Sequence, residues 1–234
     1  MKNKFLTLIV FSMSLLMAAD ATKIMGKVQY EGKAPRPKKV NMNADPICGK
    51  FQSGPTFNES FLINKENYMQ NVMVWVNNPK HSESVPTTAI ELDQIGCKYV
   101  PHVTGIMQGQ DLLIKNSDKT LHNIHSMSEV NSAFNFAMPA KADPSTKKFD
   151  KNEDPFYIKC DVHPWMKTWV LVSDHPYYAV TDENGNYEIK GVPAGTYEVV
   201  CWQEKFKKKA IVDKVTVGSK SVTKDFTFSR PKKK

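Results

Sequence analysis

The segment Cys160-Asp-Val-His163-Pro-Trp-Met166 places a thiol, an imidazole and a thioether within seven residues. Thiolate sulfur together with imidazole nitrogen suits copper, and zinc less selectively. The methionine narrows the choice, because a neutral thioether is a poor zinc ligand but serves a trigonal copper site as its weak axial donor. Such a site needs a second imidazole from elsewhere in the chain. His122 offers it, at the end of a strand-like run in Asn116-Ser-Asp-Lys-Thr-Leu-His122-Asn123. His125, three residues on, is the competing choice, and strand alternation turns the two to opposite faces. The expected metal ligands are therefore His122, Cys160, His163 and Met166, holding one copper ion for one-electron transfer. Asn116 and Asn123 are candidates to tie the His122 region to the ligand loop from outside.

Other chemistries find no support. The chain has no Gly-rich phosphate loop, no Gly-x-Ser-x-Gly elbow and no Cys-x-x-Cys pair. Carboxylates such as Glu153 and Asp154 are plentiful, but no spacing pairs them for acid–base work. No second histidine-rich site accompanies the first, which argues against an oxidase or nitrite reductase. The expectation is a carrier, not an enzyme. Copper storage, delivery or sensing is the alternative, and a structural module with a metal-binding loop is a third reading.

The elements that must position these residues read as strands. Short alternating or β-branched runs separated by Gly, Pro, Asn and Asp recur along the chain, and no helix shows a long apolar stripe. Runs at 25–30, 72–76, 103–106, 111–115, 120–125, 134–138, 156–160 and 168–173 bring the ligands onto an all-β sandwich or barrel. A boundary is expected near 173–176. Beyond it, 177–181, 187–189, 196–202, 210–217 and 222–228 form a smaller set, with Asn184-Gly185 predicting a hairpin. This set is small for an independent core and must borrow a strand or pack on the rest.

The start of the chain reads as an address. Lys2 and Lys4 precede an apolar run at 5–17, followed by Ala18, Ala19 and Ala21. This is the order of a secretory signal over 1–19, with cleavage after Ala19 or Ala21, and it implies a periplasmic protein. A retained anchor is the rival reading, and no later run is long enough to span a bilayer. Export permits disulfides among Cys48, Cys97, Cys160 and Cys201. With Cys160 taken by metal, Cys48–Cys97 is the expected bridge, and Cys201 is expected as a buried small hydrophobe. A Cys160–Cys201 bridge would abolish the metal site. The net charge of +8 falls to +6 on loss of Lys2 and Lys4, or +7 if Asp20 also leaves. Basic clusters at 205–209 and in the tail 231–234 fit an acidic redox partner or an anionic membrane surface; nucleic acid is not an expected partner.

The pattern of Asn116, His122 and Asn123 followed by Cys160-x-x-His163-Pro-Trp-Met166 resembles the cupredoxin family, and the short loop is most similar to amicyanin. The resemblance covers roughly residues 90–173, within an expected copper domain over 65–173. It implies a Greek-key sandwich and histidine ligation through Nδ1. It also implies electron exchange through an exposed edge of His163 bordered by Pro164, Trp165 and Pro139. The partner class implied is a c-type cytochrome or a periplasmic redox enzyme. Residues 174–230 resemble a carboxypeptidase-regulatory-like, transthyretin-like β-sandwich. Gly26-Lys-Val within 22–40 resembles that family's opening strand and is expected to complete the domain.

Overall fold

The structure is a computed structural model describing residues 22–50, 54–206 and 209–230. The expected signal segment, its cleavage position and the tail 231–234 lie outside these residues. The fold is all-β. No helix among the described residues is long and apolar enough to cross a membrane.

Four principal sheets pair into two sandwiches. The first carries the ligand loop. One of its sheets orders the strands Asn135–Met138, His122–Ser126, Glu153–Lys159, Lys167–Ser173 and Val103–Met107. The facing sheet orders Ser145–Lys147, Leu112–Asn116, Ile90–Gln94 and Tyr99–Val100. Inward side chains at every second position, including Leu112, Ile114, Ile124, Ile158, Val170 and Val172, fill the space between them. Parallel pairing of Lys167–Ser173 with Val103–Met107 and of Ile90–Gln94 with Leu112–Asn116 makes both sheets mixed.

The second sandwich is built around Lys23–Glu31. That strand pairs antiparallel with Asn186–Lys190 and parallel with Val222–Thr223 and Phe226–Ser229. Its facing sheet orders Tyr178–Val180, Met73–Asn77, Gly195–Trp202 and Ile211–Val217. Cys201 is a free, buried thiol in this core, and burial pushes its pKa well up.

Two expectations are corrected. Met73–Asn77 falls within the span assigned to the copper domain, yet it pairs with Tyr178–Val180 and Gly195–Trp202. The reason is that both of its faces are apolar. Val74 and Val76 enter the second core, while Met73 and Trp75 pack with Trp169, Leu171 and Trp202 where the two sandwiches meet. Asn184-Gly185 does not close a hairpin within one sheet. Tyr178–Val180 and Asn186–Lys190 pair in different sheets, so the turn is a corner. Asp182 holds it by accepting the backbone N–H groups of Asn184 and Asn186, both at 2.8 Å.

Gly26 is required by a close approach, since a Cβ there would lie 1.9 Å from the backbone oxygen of Lys224. Gly26→Ala is expected to cost about 1–3 kcal/mol by overpacking, read as a lower denaturant midpoint. Gly54→Ala, with open space around it, should leave the midpoint unchanged.

Candidate metal centre

Three strands and one loop deliver the donors. His122 opens the strand His122–Ser126, Cys160 follows the strand Glu153–Lys159, and Met166 precedes Lys167–Ser173. The antiparallel register of the last two strands, with Lys159 opposite Lys167, leaves 160–166 as a tight loop at the sheet end. The backbone N–H of Met166 donates to His163 O at 2.9 Å, and that of Cys160 donates to Met166 O at 3.2 Å.

His122, Cys160 and His163 converge, with one donor atom of each within 4.8 Å of the others. They are buried at 0%, 2% and 2% exposure. Both imidazoles turn Nδ1 inward: the two Nδ1 atoms are 3.0 Å apart, and His163 Nδ1 is 3.7 Å from Cys160 Sγ. Met166 is buried in the same core. His125 points elsewhere, with Nδ1 2.8 Å from Asp161 Oδ2. His102 pairs with Glu204 at 2.7 Å. Asn116 Nδ2 donates to the carbonyls of Thr120, Met138 and Pro139, which fixes the approach to His122. Asn123 Oδ1 accepts the N–H of Asp161 at 2.8 Å and so ties the His122 strand to the ligand loop.

The outer nitrogens are held by two carboxylates that no motif announced. His122 Nε2 donates to Asp118 Oδ2 at 2.8 Å, and His163 Nε2 donates to Asp45 Oδ2 at 3.0 Å. Asp118 also accepts the N–H groups of Gly96 and Cys97, both at 2.7 Å. Asp45 accepts the N–H groups of Ile47 and Cys48 with its other oxygen, capping the short helix Pro46–Lys50, with Pro46 at its first position. The two half-cystines are joined as Cys48–Cys97, as expected. Each imidazole therefore leads through a carboxylate to one end of the same disulfide. Asp118, four residues before His122, lay within reach of a sequence argument. Asp45, from a distant segment, did not.

These contacts correct the expectation of an exposed His163 edge. Residues 42–48 lie across the loop, with Cys48 Sγ 3.7 Å from His163 Nε2 and Thr120 Oγ1 donating to Asp45 at 3.3 Å. Pro164 and Pro139 remain exposed and Trp165 is half-buried, but the imidazole is covered.

The donors are electrostatically coupled. Burial favours neutral His122, but the Asp118 hydrogen bond and the Cys160 sulfur outweigh it and raise its pKa to about 9. Burial likewise opposes a Cys160 thiolate. The His122 hydrogen bond and backbone N–H groups of Asn123, His163 and Val162 overcome this and lower its pKa. Desolvation would raise Asp45, yet N–H donors from Cys48 and Ile47 and the His163 ring bring it to about 2. The capping contribution of Asp45 is thus present above the ordinary carboxyl range and is lost as pH falls through about 2.

The sequence family described as polysaccharide lyase family 4, domain II, matches residues 157–225. That match, rather than a carboxypeptidase-like domain, is what the C-terminal part finds. No curated protein matches the chain. Among solved structures, a novel purple cupredoxin from Nitrosopumilus maritimus is similar at 23% identity and TM-score 0.30, over 36% of this chain and 98% of that one. A copper(I) amicyanin variant is similar at 22% identity and TM-score 0.32, over 36% and 82%. A copper-containing nitrite reductase from Thermus scotoductus SA-01 is similar at 18% identity and TM-score 0.33, over 42% of this chain and 26% of that one.

Two outcomes follow for the metal-free protein. Thiolate absorption from Cys160 should persist below the ordinary thiol value of 9.0, and Asp118→Asn should move its titration midpoint upward by weakening the His122 cation. Removing the bridge with Cys48→Ser and Cys97→Ser together should speed Cys160 alkylation. A loss of about 2 kcal/mol of closure corresponds to roughly 30-fold, read by peptide mapping against buried Cys201.

Proposed function

We propose that the protein is an exported, type 1 copper protein that carries single electrons between redox partners. The observation that carries this reading is the buried convergence of one thiol and two inward Nδ1 atoms. The donor set fits the ion. A thiolate with two imidazoles is soft enough for copper, and the lowered Cys160 pKa favours the form that binds it. When bound, copper would supply a one-electron couple.

The chain's own residues do the rest. Asp118 and Asp45 hold the protons on the Nε2 atoms, so both Nδ1 atoms are free to point at Cys160 once the His122 cation loses its inner proton. Met166 is proposed as the weak fourth donor, held by the short loop. The strands on either side, paired in register next to the loop, would limit movement of the loop ends. Residues 42–48 exclude water from the His163 ring. That closure favours retention of the ion over storage with release or delivery to another protein. We keep a metal unit and a C-terminal β unit as the proposed division, with Lys23–Glu31 and Met73–Asn77 assigned to the latter.

Copper loading should give an intense visible thiolate-to-metal band that is lost reversibly on reduction. Cys160→Ser should abolish the band with the fold retained, and His125→Ala should leave it nearly intact. A band that survives in Cys160→Ser would end the assignment. A protein that binds copper but does not cycle would favour storage.

A further inference from the structure

We propose that this protein exchanges electrons through Trp165, on a cationic face that docks an acidic redox protein. The proposal rests on the one-electron reading and names the partner surface of that same site. With His163 Nε2 taken by Asp45, the imidazole edge offers no direct route to a partner. Trp165 is the neighbour that does. Its ring lies 5.1 Å from the His163 ring at 47°, and its Nε1 donates to Cys97 O at 3.1 Å, which fixes the indole against the covering segment. The indole is half-buried and stands beside exposed Pro164.

Around Trp165 and the cavity that adjoins it, cations outnumber carboxylates. Trp165 and Pro164 border a small cavity with Lys167 and with Lys98, which pairs with Glu59 at 3.4 Å. That cavity shares Asn58, Ser60, Glu204 and Lys205 with a larger one of about 820 Å³. Into the larger cavity face Arg36, Lys38, Lys205, Lys209 and Arg230, over a floor of the Phe61 and Phe206 rings 5.9 Å apart. Among the described residues none of these five cations forms an ion pair within 4.0 Å; Lys205 acts on Glu204 from farther off. The two carboxylates at hand are occupied: Glu59 by Lys98, and Glu204 through Oε1, which meets His102 at 2.7 Å, and Oε2, which accepts Trp169 Nε1 at 3.0 Å. On the other rim of the ligand loop the charges are already matched, since Asp161 meets Lys159 and His125, both at 2.8 Å. Unpaired cations beside an apolar, electronically connected edge call for a partner whose carboxylates surround its own exposed redox group. Such attraction raises the encounter rate and weakens with salt.

The surface is tested first without metal. The metal-free protein is titrated with an oligoglutamate peptide and followed by amide and indole NMR. Shifts confined to Lys38, Lys205, Lys209 and the Trp165 indole, lost at high salt, are expected. No shifts at low salt, or shifts centred on Lys214, Lys220 and Lys224, would overturn the surface. Tighter binding of an oligogalacturonate at the same residues would overturn the acidic protein in favour of an acidic glycan. The port is tested on the copper-loaded, reduced protein with hexacyanoferrate(III) and tris(phenanthroline)cobalt(III). Combining Arg36→Glu, Lys38→Glu and Lys205→Glu should slow the anionic oxidant roughly tenfold at low salt and not slow the cationic one. Trp165→Leu should slow both with the visible band unchanged. Unaltered rates in Trp165→Leu would overturn the port. Absence of any thiolate-to-copper band in the wild type would instead end the one-electron reading, while the metal-free titration would still decide the surface.

Discussion

A buried imidazole has two nitrogens, and the site depends on how the second one is satisfied. His122 and His163 each give Nε2 to a carboxylate, which fixes the ring orientation and turns Nδ1 inward. Burying Asp118 is tolerable because its oxygens accept from two backbone N–H groups as well as from the ring. Those N–H groups belong to the turn at 96–97, where Gly96 and Cys97 both adopt positive φ. The carboxylate therefore shapes the turn that presents one half-cystine, and Asp45 does the same for the other by capping its helix. Donor geometry, covering segment and disulfide are consequences of one hydrogen-bonding requirement.

The strand that leaves the 160–166 loop is held from both sides. Lys167–Ser173 is buried on both faces, with Val170 and Val172 in the first core and Trp169 and Leu171 in the seam against the second sandwich. Tyr157 stands opposite Trp169 in register, and Trp169 meets Trp202 edge-on at 4.9 Å. The second sandwich thus supports the outer face of the strand on which the loop closes. At Gly105 the strand beside it also packs tightly: a Cβ there would fall 2.3 Å from the Tyr178 ring.

How much of this was legible in the sequence varied with how local the cause was. The all-β class followed from short alternating runs broken by turn residues. Convergence of Cys160 and His163 was legible because they share one loop; alternation set His122 and His125 on opposite faces, and the separation of His122 from Asn116 favoured His122. The bridge Cys48–Cys97 followed from assigning Cys160 elsewhere. Periodicity could not say which sheet Met73–Asn77 would join, since its apolar residues serve two cores at once. Nor could it show that Asn184-Gly185 turns a corner, because a tight turn looks the same whether or not its arms stay paired. The cover over His163 was illegible, because nothing in the pattern around Asp45 points to a ring more than a hundred positions away.

The central strand Lys23–Glu31 is the earliest described element of the chain, and its neighbours are among the last. Gly26 lies opposite Tyr187, and Val28 opposite Phe226. Partners so far apart in sequence are slow to meet, because loop closure must be completed before the contacts reward it. The strands that carry the donors lie between residues 90 and 173 and pair among themselves. Assembly is thereby ordered in time: the donor-bearing sandwich has all its strands before the other can close. Apart from a bridge between Gln29 and Tyr68, the first strand finds its partners only when residues 186–229 arrive. During that interval it is the segment most open to pairing with a second chain, so the kinetic hazard of this fold lies outside the sandwich that holds the donors.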